Sequence, residues 1–268
     1  MKLKDVAILV PSCDAYADTW KPFFHFFYKA WPDCPFDVYL GTNHLDFDHP
    51  GVKVIKAGAD RSWAEGVKKM LREANREHVL LCLEDYFFYE IDAARVIEAY
   101  DIFLKLHADY LQLTPTPNPD LKVPGYPSVG RIKNNAHYKT AIGFQFWKTD
   151  TFLGLLRDGE SAWDMELHGS ERTGHADSFY RYWKPAARFH NAIVSGKWQR
   201  SAVQFCADKG VELDLTRRQV YTAGQTVWIA IKSKVRRFIR LFPDPIFLRL
   251  YRLMRSVNSI IERAWVRK

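Results

Sequence analysis

Apolar positions along this chain come in short blocks separated by polar turns, and the spacing within the blocks alternates between two periods. Val6-Ala7-Ile8-Leu9-Val10 is an unbroken apolar run of strand length, stopped by Pro11-Ser12-Cys13-Asp14. Such a run reads as a strand buried on both faces. The aromatic-rich segment 20–31 has helical length, and 36–40 and 52–55 read as a second and third strand. Ser62-Trp63-Ala64-Glu65 carries the S-x-x-E pattern, in which serine and glutamate satisfy each other's orphan backbone donors in a first helical turn. Val67 and Leu71 then share a face of a helix running to about Arg76. A fourth strand at 79–83, a helix at 93–107 with Val96, Ala99, Phe103 and Leu106 on one face, and a fifth strand at 110–113 follow. Strands alternating with helices of about 10–15 residues predict βαβ units and a mainly parallel sheet.

The alternation stops at 114–135, where five prolines (115, 117, 119, 124, 127) with Gly125 and Gly130 argue against regular structure. A loop of this length is either an active-site lid or a floppy insertion. Beyond it, 140–146 reads as a strand, 148–157 as a short helix and 192–194 as a late strand. The chain shows no internal repeat and no low-complexity tract.

Composition bounds the answer. A chain of 268 residues buries one substantial core plus a small appendage, and 47% hydrophobic with 15% aromatic residues excludes a disordered class. Cys13, Cys34, Cys82 and Cys206 form neither a CxxC pair nor a zinc spacing and read as reduced thiols of a cytosolic protein. The first apolar run is too short for a signal-peptide core, and none reaches the roughly 18–20 residues of a membrane span. The net charge of +8 is unevenly placed. Residues 227–268 hold eleven Lys and Arg against Asp244 and Glu262, a net +9, which leaves −1 for everything before them. The body is neutral and the tail basic.

Two acidic clusters carry the candidate chemistry. In an open α/β sheet ligands collect beyond the carboxyl ends of the strands, and there Glu84 and Asp85 end the fourth strand. Adjacent acids repel unless a cation or proton lies between them, and a hard divalent ion carrying a diphosphate meets that need. The plain alternative is a strand end with hydrated carboxylates. In the second cluster, Glu160, Asp164 and His168 share one face if the segment is helical, with Trp163 and Leu167 on the adjoining one. Asp164 and Glu166 are candidate general bases; a solvated surface helix is the alternative. Arg61, Arg131 and Lys197 are candidate phosphate partners, or ordinary solvated cations. The faces of Phe144, Phe146, Trp147 and Trp163 suit sugar rings, or belong to the core.

In this order the features resemble the glycosyltransferases of the GT-A fold, particularly bacterial enzymes that build capsule or lipopolysaccharide O-antigen. The resemblance spans roughly residues 5–200. It implies that Pro11, Ser12 and Asp14 line a nucleotide, with Asp60 and Arg61 as a second nucleotide-facing segment. Leu83-Glu84-Asp85 takes the place of the family's D-x-D element. Donor binding by Glu84, Asp85 and Lys197 follows, as does a divalent metal cofactor, Mn²⁺ or Mg²⁺, held by Asp85, Glu84 and His190. The acids at 160–166 stand where inverting members carry the base, which makes Asp164, ahead of Glu166, the expected catalytic carboxylate. Two departures stand out. Leu83 cannot ligate a metal, and Trp163-Asp164-Met165-Glu166 lacks the usual Glu-Asp pair, so inversion or retention stays open.

The tail is a separate unit in this reading. Val227, Trp228, Ile231, Val235, Phe238, Ile239 and Phe242 recur at helical spacing among basic residues. After Pro243 and Pro245 the pattern resumes with Phe247, Leu250, Met254, Val257 and Ile261. Basic amphipathic helices suit an anionic lipid surface, and the apolar area argues against nucleic acid; packing on the body or against another copy are the rivals. The expectation is an α/β, GT-A-like, Rossmann-type mainly parallel sheet over 1–223, with a basic helical tail at 224–268. It would sit on the cytoplasmic face of the membrane, using a nucleotide-sugar donor and a glycan or lipid-linked acceptor. The alternatives are a sugar-nucleotide nucleotidyltransferase, which the glycine-free loop after the first strand disfavours, and a non-catalytic membrane-bound scaffold or sugar-nucleotide binding module.

Overall fold

Continuous apolar runs become strands covered on both faces, and the amphipathic segments become the helices that cover them. The computed structural model describes residues 3–134, 136, 138–239 and 249–250. In chain order the elements are β1 (Val6–Pro11), α1 (Ala17–Ala30), β2 (Asp37–Thr42), β3 (Val52–Lys56), α2 (Trp63–Ala74), β4 (His78–Leu81), β5 (Tyr86–Ile91) and α3 (Ala93–Lys105). There follow β6 (Tyr110–Gln112), β7 (Leu121–Lys122), β8 (Val129–Arg131), β9 (Gln145–Lys148), α4 (Thr149–Leu155) and α5 (Ala162–Arg172). The remainder are β10 (Phe179–Tyr182), β11 (Ala187–Asn191), β12 (Ile193–Val194), β13 (Lys197–Trp198), α6 (Arg200–Asp208) and α7 (Ala223–Ile239).

Nine strands form one sheet in the order β3-β2-β1-β4-β9-β6-β10-β8-β7. β9 and β8 run against the other seven. The expected α/β, mainly parallel sheet flanked by helices is therefore present. One face is covered by α1 and α3 through Phe23, Phe27, Tyr100 and Phe103. The other is covered by α2, α4 and α5 through Met70, Leu71, Phe152 and Met165. Alternation along β9 serves both layers, with Phe146 in the first core and Trp147 in the second. A separate ribbon of β5 and β11 packs on α1.

Ser62 caps α2 by accepting the Glu65 N–H at 3.3 Å, and its hydroxyl donates to Glu65 Oε2 at 2.7 Å. Asn75, in the left-handed region at φ 47°, ends the helix. Several features depart from or add to the expected layout. The run 86–91, which the sequence reading left unassigned, is β5, whose Tyr-Phe-Phe-Tyr has strong strand preference. The strand expected at 140–146 begins only at Gln145. β10, unforeseen, is an interior strand of the sheet. The proline-rich stretch is no free insertion, because β8 inside it pairs with β10. Of the tail, α7 is helical, whereas the second helix expected beyond Pro245 lies almost wholly outside the described residues. Among the described residues, no helix is long and apolar enough to cross a membrane.

Gly130 shows how tightly the proline-rich stretch is tied down. A Cβ there would lie 2.6 Å from Pro119 Cβ and 2.8 Å from Trp183 Cζ2, both rigid groups. Gly130→Ala is expected to destabilise the fold by about 1–3 kcal/mol, as overpacking does. A denaturant melt with an unchanged midpoint would show that the stretch is loose after all.

Candidate active site

β1 and β4 are neighbouring parallel strands, so the residues that follow them emerge side by side at the carboxyl edge of the sheet. After Leu81 the chain stays beside β1 for one residue, Cys82 N–H donating to Leu9 O at 3.0 Å, and then turns. The turn is closed by Tyr86 N–H to Leu83 O at 3.1 Å, which leaves Glu84 and Asp85 at its two corners. Ser12 Oγ donates to Glu84 Oε1 at 3.2 Å and accepts from Trp20 Nε1 at 2.8 Å. On the other side Ala192 N–H donates to Asp85 O at 2.7 Å. With the Asn191 amide oriented by its surrounding acceptors, its nitrogen donates to Asp85 Oδ2 at 2.7 Å and to Ile193 O at 3.3 Å.

Both carboxylates keep partial contact with solvent yet are closely surrounded by protein atoms. Burial pushes both carboxyl groups up from the ordinary range, and the charge of Asp85 raises Glu84 further. Arg218 opposes the shift at both. That arginine comes from the segment between α6 and α7. It holds the buried Asp18 through Nε to Oδ2 (2.6 Å) and Nη2 to Oδ1 (2.7 Å) and donates to Ala15 O (2.7 Å). Its guanidinium lies 4.5 Å from the centre of the Tyr16 ring. The chain between α6 and α7 is thereby strapped to the loop after β1.

The remaining expected site residues divide by placement. Pro11 closes β1. Asp14 serves the scaffold: its carboxylate accepts the N–H groups of Asn43 (2.9 Å), His44 (3.1 Å) and Leu45 (3.3 Å). Asn43 answers by accepting Asp14 N–H at 2.9 Å and donating to Gly58 O at 3.0 Å, so the exits of β1, β2 and β3 are stitched together. Asp60 and Arg61 are exposed in the turn before α2, Asp60 near enough for its charge to raise the Cys13 thiol after burial has done so. Lys197 lies 5.8 Å over the Tyr221 ring, at the end of a turn whose Ser195 and Gly196 both have positive φ (47° and 74°). Arg131 pairs with Asp177 at 3.3 Å.

Two placements depart from expectation. His190 stands against Phe205 (4.5 Å between ring centres) and Tyr89 (5.3 Å), and it is the next residue, Asn191, that meets Asp85. Successive residues of a strand point to opposite faces, so the His190 ring is turned to Tyr89 and Phe205 and not to Asp85, where a metal ligand was expected. Glu160 precedes α5 rather than sharing its face, and its carboxylate takes both ends of Arg172 at 2.7 Å. Asp164 completes a capping box with Ser161, accepting from Ser161 N–H at 3.0 Å and from its hydroxyl at 2.6 Å. Those bonds hold its carboxyl below the usual range, the wrong direction for a base. Glu166 is placed differently. Its Oε1 accepts the Ile142 N–H at 2.7 Å, at the loop that enters β9 from the same edge of the sheet as the acid pair. Tyr86 links the two clusters, its phenol raised by burial and then by charges that include both Asp85 and Glu166.

Arg218 and Asn191 escaped the sequence reading because only the fold brings them to Asp85. Among the described residues, no group of three or more His, Cys, Asp or Glu could hold a metal on its own. Two carboxylates and the Ser12 hydroxyl, hard donors in a recess short of positive charge, nevertheless fit Mg²⁺ or Mn²⁺ completed by substrate oxygens and water.

No family model matches the chain, and no curated protein does. Among solved structures it is similar to S. aureus TarS 1-349 in complex with UDP-GlcNAc, at 14% identity and TM-score 0.44, over 72% of this chain and 62% of that one. It is also similar to 2-C-methyl-D-erythritol 4-phosphate cytidylyltransferase from Thermus thermophilus, at 13% identity and TM-score 0.43, over 69% and 92% of the two chains. A third is UDP-glucose pyrophosphorylase complexed with UDP-glucose, at 8% identity and TM-score 0.47, over 70% and 92%. The chain spans about 60% of the length of TarS 1-349 in another of its structures. Likeness of this degree assigns no activity, substrate or partner.

A carboxyl group whose folded-state pKa is raised binds more protons folded than unfolded, so its contribution to stability fades as pH rises from the ordinary carboxylate range through neutrality. Without divalent cations, Glu84→Gln is therefore expected to raise the melting temperature more at about pH 8 than at about pH 5. An equal effect at both pH values would mean that the pair is not strained by ionisation.

Proposed function

We propose that the chain is a glycosyltransferase of GT-A type, moving a sugar from a nucleoside-diphosphate donor to a hydroxyl of a bacterial surface glycan or lipid-linked acceptor. The observation that carries this reading is the turn at 83–86. It sets two adjacent, recessed carboxylates at the carboxyl edge of the sheet, where ionisation is unfavourable until a cation joins them. Asp85 and Glu84 are the residues that would hold a divalent ion for the donor diphosphate, and Ser12 fixes the Glu84 carboxylate. When bound, that ion supplies Lewis-acid stabilisation to the departing diphosphate. The positive field of Arg218 adds to it. Glu166, in preference to Asp164, takes the proton of the acceptor hydroxyl as its oxygen bonds to the anomeric carbon and the bond to the diphosphate oxygen breaks.

A nucleotidyltransferase would join a nucleotide to a sugar phosphate and release pyrophosphate. Against it, the loop after β1 has no glycine, and Asp14 turns its carboxylate to backbone donors of the β2 loop instead of opening a phosphate cradle. For the tail, α7 leaves Val227, Ile231 and Val235 exposed at 59, 45 and 40%. Their i, i+4, i+8 spacing on a helix rich in Lys and Arg suits the headgroup region of an anionic leaflet, and the enzyme is peripheral on the inner face of the membrane.

A thermal-shift screen of nucleoside diphosphates and their sugars, with and without Mn²⁺, tests the reading directly, since a ligand of the folded state raises its apparent stability. Stabilisation by at least one nucleotide sugar is expected, and no shift with any of them would sink the proposal. Asp85→Asn should remove the Mn²⁺-dependent part. Glu166→Gln should keep donor binding but lower transfer by about 100-fold or more, while Asp164→Asn stays within about twofold of the parent protein. Loss of transfer in Asp164→Asn alone would return the base to that residue. Removing residues 225–268 should abolish sedimentation with phosphatidylglycerol vesicles while turnover of a soluble acceptor persists; unchanged sedimentation rules out the tail as anchor.

A further inference from the structure

Trp163, in the first turn of α5, is 70% exposed, and Leu167 one turn later is 40% exposed. Tryptophan is highly buried on average, so an indole held out in water on a regular helix is a contact in search of a partner. Its counterpart Trp63, in the first turn of α2, packs on Phe152 with ring centres 6.4 Å apart. Among the described residues, no ring or cation lies against the Trp163 indole.

The fold brings this indole to the candidate active site. Gly159 N–H donates to Ser62 Oγ at 3.1 Å and Ala64 N–H to Glu160 O at 3.1 Å, so the start of α5 lies beside the start of α2. α2 follows β3, which is parallel to β2 and through it to β1, and both helix starts therefore stand at the carboxyl edge of the sheet. Along α5, Trp163, Glu166 and Ser170 form one stripe, with neighbouring Cβ atoms about 5–6 Å apart. The later part of the stripe is covered. Ser170 Oγ accepts Thr140 N–H at 3.1 Å, and Glu166 Oε1 accepts Ile142 N–H at 2.7 Å. Trp163 continues the stripe into solvent.

The charge of this helix selects the occupant. Residues 160–172 hold Glu160, Asp164, Glu166 and Glu171 against Arg172, with His168 beside Glu171. Anionic lipid, nucleic acid and acidic polysaccharide all meet repulsion there. A second copy docked about a two-fold axis would set the same acids against each other. Trp163 and Leu167 also supply far less than the roughly 800 Å² per partner of a stable protein interface. A neutral pyranose suits the surface. Its ring C–H groups lie on the negative face of an indole, and its hydroxyls donate charge-assisted bonds to carboxylates.

We propose that Trp163 is the platform on which an uncharged sugar ring of the acceptor glycan stacks, next to the hydroxyl that Glu166 deprotonates. This rests on the glycosyltransferase reading and adds the acceptor class, a neutral oligosaccharide or polysaccharide. Leu167 extends the apolar strip beneath the ring.

The test uses the full chain labelled with fluorotryptophan, the Trp163 fluorine resonance being assigned by its absence from Trp163→Phe. Cellohexaose, maltohexaose, chitohexaose and mannohexaose are titrated, with hexagalacturonate as the acidic counterpart. At least one neutral hexasaccharide is expected to shift that resonance saturably, and hexagalacturonate to leave it in place. By calorimetry, Trp163→Ala should weaken binding of that hexasaccharide about tenfold, and Trp163→Phe should weaken it less. Both variants should melt within about 2 °C of the parent protein, as substitutions at an exposed position do. No shift with any neutral hexasaccharide, an equal shift with hexagalacturonate, or unchanged affinity in Trp163→Ala overturns the inference. Without sugar, a soluble gadolinium chelate should broaden the resonance; a protected ring, or a resonance that moves with protein concentration, overturns it too, because another part of the chain or a second copy then covers the indole. The nucleotide-sugar thermal-shift screen separates this inference from the reading beneath it. Stabilisation by a nucleotide sugar with no hexasaccharide effect leaves the glycosyltransferase and removes the platform. Hexasaccharide binding at Trp163 with no nucleotide-sugar effect removes the transferase, and the acceptor role with it.

Discussion

Two neighbouring, half-buried carboxylates at the carboxyl edge of the sheet are the constraint around which this end of the molecule is arranged. Left to themselves, Glu84 and Asp85 would separate or bind protons. Instead the turn between Leu83 and Tyr86 fixes their backbones, Ser12 holds one side chain and Asn191 the other. β1 and β4 contribute this edge because they are adjacent and parallel, and the ribbon of β5 and β11 closes it from the side. The scaffold thus stores electrostatic tension at one place, where burial and mutual repulsion hold both carboxyl groups above the ordinary range.

Long-range supports keep that arrangement in register. Asp14 and Asn43 exchange hydrogen bonds so that three strand exits move as one body. Arg218, two hundred residues from Asp18, ties the segment before α7 to the start of α1 and directs its charge toward the acids. Its partner Asp18 has a fully buried side chain, so the pair is both a strap and a source of field. Buried ion pairs of this kind add little net stability against an apolar substitute, which makes its position beside the cleft the more informative property.

Much of the scaffold was legible in the sequence, because unbroken apolar runs and a capping pattern are local. β1, β2, β3, β4 and β6, with α1, α2 and α3, lie within a few residues of their expected places. The failures have local causes too. β10 is four residues long after a polar stretch, and β5 follows an acid pair that reads as a strand end. At 161–164 the sequence repeats, as S-x-x-D, the helix-start pattern recognised at 62–65. The same rule would have marked Asp164 as a cap and left Glu166 as the carboxylate facing the sheet edge. His190 and Asn191 could not be told apart without the register of β11, since a one-residue shift exchanges faces. Arg218 carried no local sign at all.

β9 has a consequence of its own. Because it enters the sheet against the grain, its incoming segment arrives at the carboxyl edge of β4, while its ladder bonds to β4 and β6 begin only at Gln145. Residues inserted or deleted upstream of that point would reshape this edge without breaking the ladder bonds of β9. A chain built this way can vary one incoming segment at the carboxyl edge while leaving the load of folding to the strands behind it.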